Sequence, residues 1–131
     1  MIILVAFAVL AAAPPRAVNC NVSPYWSKGQ DCFPAQLLRT EGQLASVWKQ
    51  AMVYATKIDE DNSADYDSPE PSYNAKAYLL ASQRAWRDYR DKTCHLDYFK
   101  DPGILSQVTE TECRLVMTRL RIKGLTAFME R

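Results

Sequence analysis

The stretch Gln83-Arg84-Ala85-Trp86-Arg87-Asp88-Tyr89-Arg90-Asp91-Lys92-Thr93-Cys94 decides the fold. At 100° per residue, Leu79, Trp86, Tyr89 and Thr93 fall on one helix face, while Arg84, Arg87, Asp88, Asp91 and Lys92 cluster opposite. Gln83 and Arg90 join neither group. They lie beside Trp86 on the edge of the apolar stripe, where an unpaired guanidinium is expensive. The segment therefore reads as a helix ending at Cys94, with Trp86 and Tyr89 in the core and Arg90 in need of a partner. Glu41, Glu110 and Glu112 are the candidate carboxylates, and Gln83 is placed to saturate leftover polar groups nearby. On the solvated face, Arg84 with Asp88 and Arg87 with Asp91 sit at the i,i+4 spacing that supports an exposed helix.

Working outward, this second helix starts near Tyr73. Before it, Asp59 to Ser72 reads Asp-Glu-Asp-Asn-Ser-Ala-Asp-Tyr-Asp-Ser-Pro-Glu-Pro-Ser, a strongly acidic, proline-closed loop. A first helix precedes it, from about Pro34 to Ile58. Its apolar positions Leu37, Leu44, Val47, Trp48, Ala51, Tyr54 and Ile58 recur mostly at three- and four-residue steps. Pro34 suits a helix start, because first-turn amides lack internal partners anyway. After Cys94 comes a connector with the turn signal Asp101-Pro102-Gly103. Thr109-Glu110-Thr111-Glu112 then has capping-box form, so a third helix begins near Glu110. It carries Cys113, Val116, Met117, Leu120, Ala127 and Phe128 inward. No strand-period segment intervenes, so the fold is all-α: a small disulfide-stapled three-helix bundle, up-down-up.

The 131 residues suit one such domain, and a net charge of +1 gives no global pull toward nucleic acid or lipid. No cluster of basic residues interleaved with aromatics suggests a nucleic-acid surface. Met1 to Ala13 is an apolar run too short for a bilayer span, which needs roughly 20 residues. Its length fits a signal-peptide core, although no Lys or Arg precedes it, which leaves the true start codon open. A cut after Ala13 puts Pro14 at the new terminus, so residues 1–17 are read as the signal peptide and 18–131 as the domain. No stable membrane span then remains after cleavage.

All four cysteines follow that segment, and an even count in a small exported domain indicates two disulfides with three possible connectivities. In an antiparallel bundle the short connector brings the end of helix two to the start of helix three, which makes Cys94–Cys113 the natural pair. Cys20–Cys32 then staples a polar, turn-rich arm to helix one. Each bond contributes about 2–4 kcal/mol, mainly through the unfolded state. No CxxC pair is present and His95 is the single histidine, so neither a metal site nor a cofactor is expected.

Gln83-Arg84-Ala85-Trp86, then Tyr89-Arg90-Asp91, then Cys94 resembles the signature of the LprI-like family of exported bacterial proteins. A second segment agrees: Cys113, Thr118, Arg121 and Leu125 at the family's spacing. In helix one, Glu41, Leu44 and Trp48 match the element of an acid, a leucine and an aromatic. Ala45 stands where the family often has Asn, Trp48 where it has Tyr, and the acidic loop is an elaboration. The resemblance covers roughly residues 20 to 128. It implies an exported, disulfide-linked helical domain, periplasmic or secreted, and for some members binding and inhibition of lysozyme. Cys20 follows Ala-Val-Asn, which is no lipobox, so the chain reads as unanchored.

Under this resemblance Gln83, Trp86, Tyr89, Arg90 and Arg121 mark the fold, and the partner surface lies elsewhere. The acidic loop is the candidate, through Asp59, Glu60, Asp61, Asp65, Tyr66, Asp67 and Glu70. Lysozymes are commonly basic, so an acidic segment is steered toward them and is able to cover the cleft. Catalysis finds little support, because the cysteines read as oxidised and His95 has no visible partner. The competing reading is a periplasmic helical interaction or scaffold module without lysozyme inhibition.

Overall fold

Three helices follow one another in a computed structural model that describes residues 20, 26–62, 73–100 and 102–131. They are α1 (Trp26–Asn62), α2 (Ala75–Lys100) and α3 (Ile104–Met129). The expected apolar run Met1–Ala13, with its signal-peptide reading, lies outside the described residues. Among the described residues no helix is long and apolar enough to cross a membrane.

Several helix limits differ from the sequence reading. Pro34 is not the start of α1 but lies inside it. A mid-helix proline forfeits one amide bond, and the Cys20–Cys32 disulfide (Cα–Cα 5.7 Å) ties down the stretch that precedes it. At its other end α1 continues past Ile58 through Asp59, Glu60 and Asp61 to Asn62.

α2 starts with all three of its first amides satisfied by side chains. The Asn74 Oδ1 accepts from Ala77 N at 2.8 Å, while Asp59 accepts from Ala75 N at 2.7 Å and from Lys76 N at 3.0 Å. Such groups have no partner within the helix, and a carboxylate there also meets the positive end of the helix dipole.

Cys94 does not end α2, which runs on to Lys100. A cysteine carries no stop signal of its own. The break comes instead from Pro102, which disfavours helical backbone at the preceding residue. Gly103 follows with φ 151°, a conformation that only glycine adopts readily. α3 therefore begins at Ile104, well before Glu110. Thr109 is not its cap; the hydroxyl donates back to Leu105 O and Ser106 O at 3.2 and 3.1 Å, as interior threonines do.

The core consists of Leu44, Ala51 and Ala55 from α1, Leu79 from α2 and Leu125 from α3, with Trp48, Met52, Trp86, Ile122 and Phe128 packed against it. Tyr54 meets Phe128 edge to face at 5.3 Å. Contact is most extensive between α1 and α3. The third helix is rotated relative to the expected phase: Val116 and Leu120 are exposed, whereas Leu115, Thr118 and Leu125 are buried. The Cys94–Cys113 disulfide (Cα–Cα 5.5 Å) fixes that rotation at one end, and Thr118 turned toward α2 fixes it in the middle. Both disulfides pair as the sequence indicated.

Candidate functional site

The buried stripe of α2 is Leu79, Gln83, Arg90 and Cys94, with Trp86 half-buried between them. Tyr89, expected in the core, is 62% exposed. The steps of four, three, four and four residues through Leu79, Gln83, Trp86, Arg90 and Cys94 trace one helix face. Tyr89 stands a full residue off that line.

Arg90 is the hub. Its Nη1 donates to Glu41 Oε1 on α1 at 3.2 Å and to Thr118 Oγ1 on α3 at 3.1 Å. Its Nε donates to Asp91 Oδ1 at 2.9 Å. The guanidinium carbon lies 4.9 Å from the centre of the Trp86 ring, within cation–π range. One side chain from α2 thus holds both other helices. Glu41 is the candidate carboxylate that meets it, whereas Glu110 pairs with Arg114 at 2.9 Å and approaches His95 at 3.5 Å.

Arg121 closes the same layer from α3. It donates to Gln83 Oε1 at 2.9 Å and to Ser82 Oγ at 2.7 Å, with its guanidinium carbon 5.8 Å from the Trp86 ring. Partial burial lowers its pKa, because desolvation disfavours the charged form. Arginine nevertheless stays protonated at any physiological pH. The exposed face of α2 pairs differently from the expected spacing: Asp88 takes Lys92 at 2.9 Å, and Asp91 turns to Arg90.

The Arg90–Arg121 layer ties the three helices together. Its polar atoms point at one another, all four cysteines are bonded, and among the described residues no group of three or more His, Cys, Asp or Glu is able to hold a metal. It is an internal brace. α2 spans about 39 Å, and an exposed aromatic cluster stands at each of its ends.

At the α1–α2 end, the acidic candidates separate into distinct roles. Asp59 is half-buried and committed to capping α2, while Glu60 and Asp61 are exposed on the last turn of α1. Asp65, Tyr66, Asp67 and Glu70 lie outside the described residues. An open groove lined by Met52, Val53, Thr56, Lys57, Glu60, Asp61 and Lys76 runs along this end. Beside it Tyr73 and Tyr78 form an edge-to-face pair at 5.8 Å, each 61% exposed. At the α2–α3 end, His95, Tyr98 and Phe99 form a second exposed ring cluster, with centroids 5.4–5.6 Å apart.

The capping role of Asp59 and the Tyr73–Tyr78 pair were not read from the sequence. The cap joins residues 16 and 17 positions apart, beyond any local pattern, and in the sequence Tyr73 marks no more than a helix start. Comparison with curated proteins and with solved structures finds no match. A family model described as lysozyme inhibitor LprI matches residues 21–125. That span contains α2, the whole Arg90–Arg121 layer and three of the four cysteines, and the chain therefore belongs to the LprI family of lysozyme inhibitors.

Proposed function

We propose that this chain binds and inhibits lysozyme outside the cytoplasm, shielding peptidoglycan from attack. The observation that carries the reading is the family match over residues 21–125. Two disulfides in a small bundle fit an oxidising compartment and agree with export of the mature domain as a periplasmic or secreted protein. The acidic candidates supply attraction to a basic partner, with Glu60 and Asp61 exposed and Asp65, Asp67 and Glu70 following in sequence. Asp59 contributes by holding α2 in place.

The test is a cell-wall lysis assay in which purified, oxidised protein is titrated against c-type and g-type lysozymes. Dose-dependent protection of the walls is the expected result. No protection at micromolar excess against either enzyme leaves the scaffold reading, in which the braced bundle serves another periplasmic interaction.

A further inference from the structure

A second line of residues runs along α2, away from the core. Tyr78, Ser82, Ala85, Tyr89, Lys92 and Leu96 follow one another at steps of four, three, four, three and four residues, and all six are exposed. At 100° per residue they keep within an arc of about 80°, centred about 120° round the helix from the buried Gln83 and Arg90. The line runs for about 27 Å, and Phe99 continues it one step of three further on. Alternating three- and four-residue steps are the spacing by which two helices pack along a seam. The bundle already uses the other side of α2 for its own contacts, through Leu79, Gln83, Arg90 and Cys94. Tyr78, Tyr89, Leu96 and Phe99 are each more than half exposed, and exposed aromatics in a row are the residue type that dominates interface energetics.

We infer that this line is the interface of a homodimer, in which α2 packs antiparallel against α2 of a second copy about a two-fold axis level with Arg87. A two-fold contact has to be self-complementary, each residue meeting the same counterpart in both directions. The order of sizes along the line meets that condition. Tyr89 of each copy comes over Ala85 of the other, a large ring opposite a small residue. Tyr78 comes opposite Leu96. Lys92, whose charge is matched by Asp88 at 2.9 Å, comes opposite Ser82. The ring clusters at the two ends of α2, Tyr73 with Tyr78 and His95 with Tyr98 and Phe99, are brought onto one another twice. Parallel packing instead sets Lys92 against Lys92 and Tyr89 against Tyr89.

Charge and area favour the same occupant. The line holds one charge, already paired, and the chain carries only +1, so two copies approach without strong repulsion. Aromatic side chains present roughly 150–250 Å² each, so the exposed parts of Tyr78, Tyr89 and Phe99 come to roughly 300–500 Å². Leu96, Ala85 and the flanking polar stems bring each copy toward the roughly 800 Å² per partner of a standard interface. Affinities for interfaces of that size start in the micromolar range.

The test is sedimentation velocity of the oxidised protein from low to high micromolar concentration, where a monomer–dimer equilibrium is expected. Tyr89→Lys and, separately, Ala85→Glu are each expected to weaken dimerisation at least about 30-fold, the effect of losing a hot-spot residue. Both positions are exposed, so each chain keeps its fold, which circular dichroism checks. Joined in one chain, the two substitutions are expected to restore at least about tenfold of the loss, because the new carboxylate of each copy then faces the new ammonium of the other. Leu38→Ser with Leu120→Ser, exposed apolar positions on α1 and α3, is expected to dimerise like wild type. Wild-type protein that stays monomeric at high micromolar concentration overturns the dimer. So does a dimer that survives both single substitutions at Ala85 and Tyr89, or one lost through Leu38 and Leu120. A doubly substituted chain as weak as the single variants overturns the antiparallel register. None of these measurements reads lysozyme inhibition, so the dimer and the inhibitor reading fail separately.

Discussion

Arg90 shows how one residue organises three helices. Its side chain is only 10% exposed yet meets Glu41, Asp91 and Thr118. Arg90→Ala leaves Thr118 and Glu41 without their donor and the Trp86 ring without its cation. Loss of one partner from a buried pair costs about 3–5 kcal/mol; with Glu41 half-exposed, the low end of that range is expected in urea denaturation. Stability that stays at the wild-type value while inhibition disappears is the outcome that removes the structural assignment. Asp59 makes a second, smaller case. Asp59→Ala strips two first-turn amides of α2 of their acceptors, and loss of such a cap typically costs about 1 kcal/mol. Arg90's need for a partner was legible, because helix phase alone placed a guanidinium beside Trp86. The part played by Asp91 was not, since phase put it on the solvated face and the adjacent guanidinium drew it back.

At the scale of elements, existence was easier to read than limits or phase. All three helices and both cysteine pairs followed from periodicity and the up-down-up path. Phase failed on α2 because Gln83 and Arg90, being polar, were set at the edge of the stripe; counted as inward, they complete the face and push Tyr89 out to solvent. On α3 the capping-box pattern at Thr109 competed with the Pro102–Gly103 break and lost, since a backbone φ of 151° at Gly103 fixes the new direction regardless of later side chains. The Cys94–Cys113 bond spans 19 residues and encloses this turn. Replacing both cysteines by serine is expected to lower stability by about 3 kcal/mol, from the chain entropy restored to the unfolded state. Chemical denaturation of oxidised protein and of the double variant measures the difference.

For the whole molecule, charge distribution matters more than total charge. A net of +1 hides an acidic α1–α2 end. Neutralising Glu60, Asp61, Asp65, Asp67 and Glu70 to their amides, with Asp59 retained so that α2 keeps its cap, is expected to slow association with a basic lysozyme several-fold at low salt. Because the Debye length shrinks from about 30 Å at 0.01 M to about 8 Å at physiological ionic strength, the deficit narrows as salt rises. Stopped-flow association across a salt series reads it directly, and an equal loss at every salt concentration is the result that contradicts steering. The acidic composition of this end was plain in the sequence. The separation of Asp59 from its neighbours was not, since it depends on where α1 stops.

The Asp59 clasp also bears on how this chain is free to change. The bond from the end of α1 to the first amides of α2 sets the register of the two helices, so the span between Asp61 and Tyr73 does not have to. Its length becomes an open variable. Doubling a flexible connection costs only about 0.6 kcal/mol in closure entropy. Insertions between Asp61 and Tyr73 are therefore expected to leave the helix register, and with it the melting temperature, nearly unchanged.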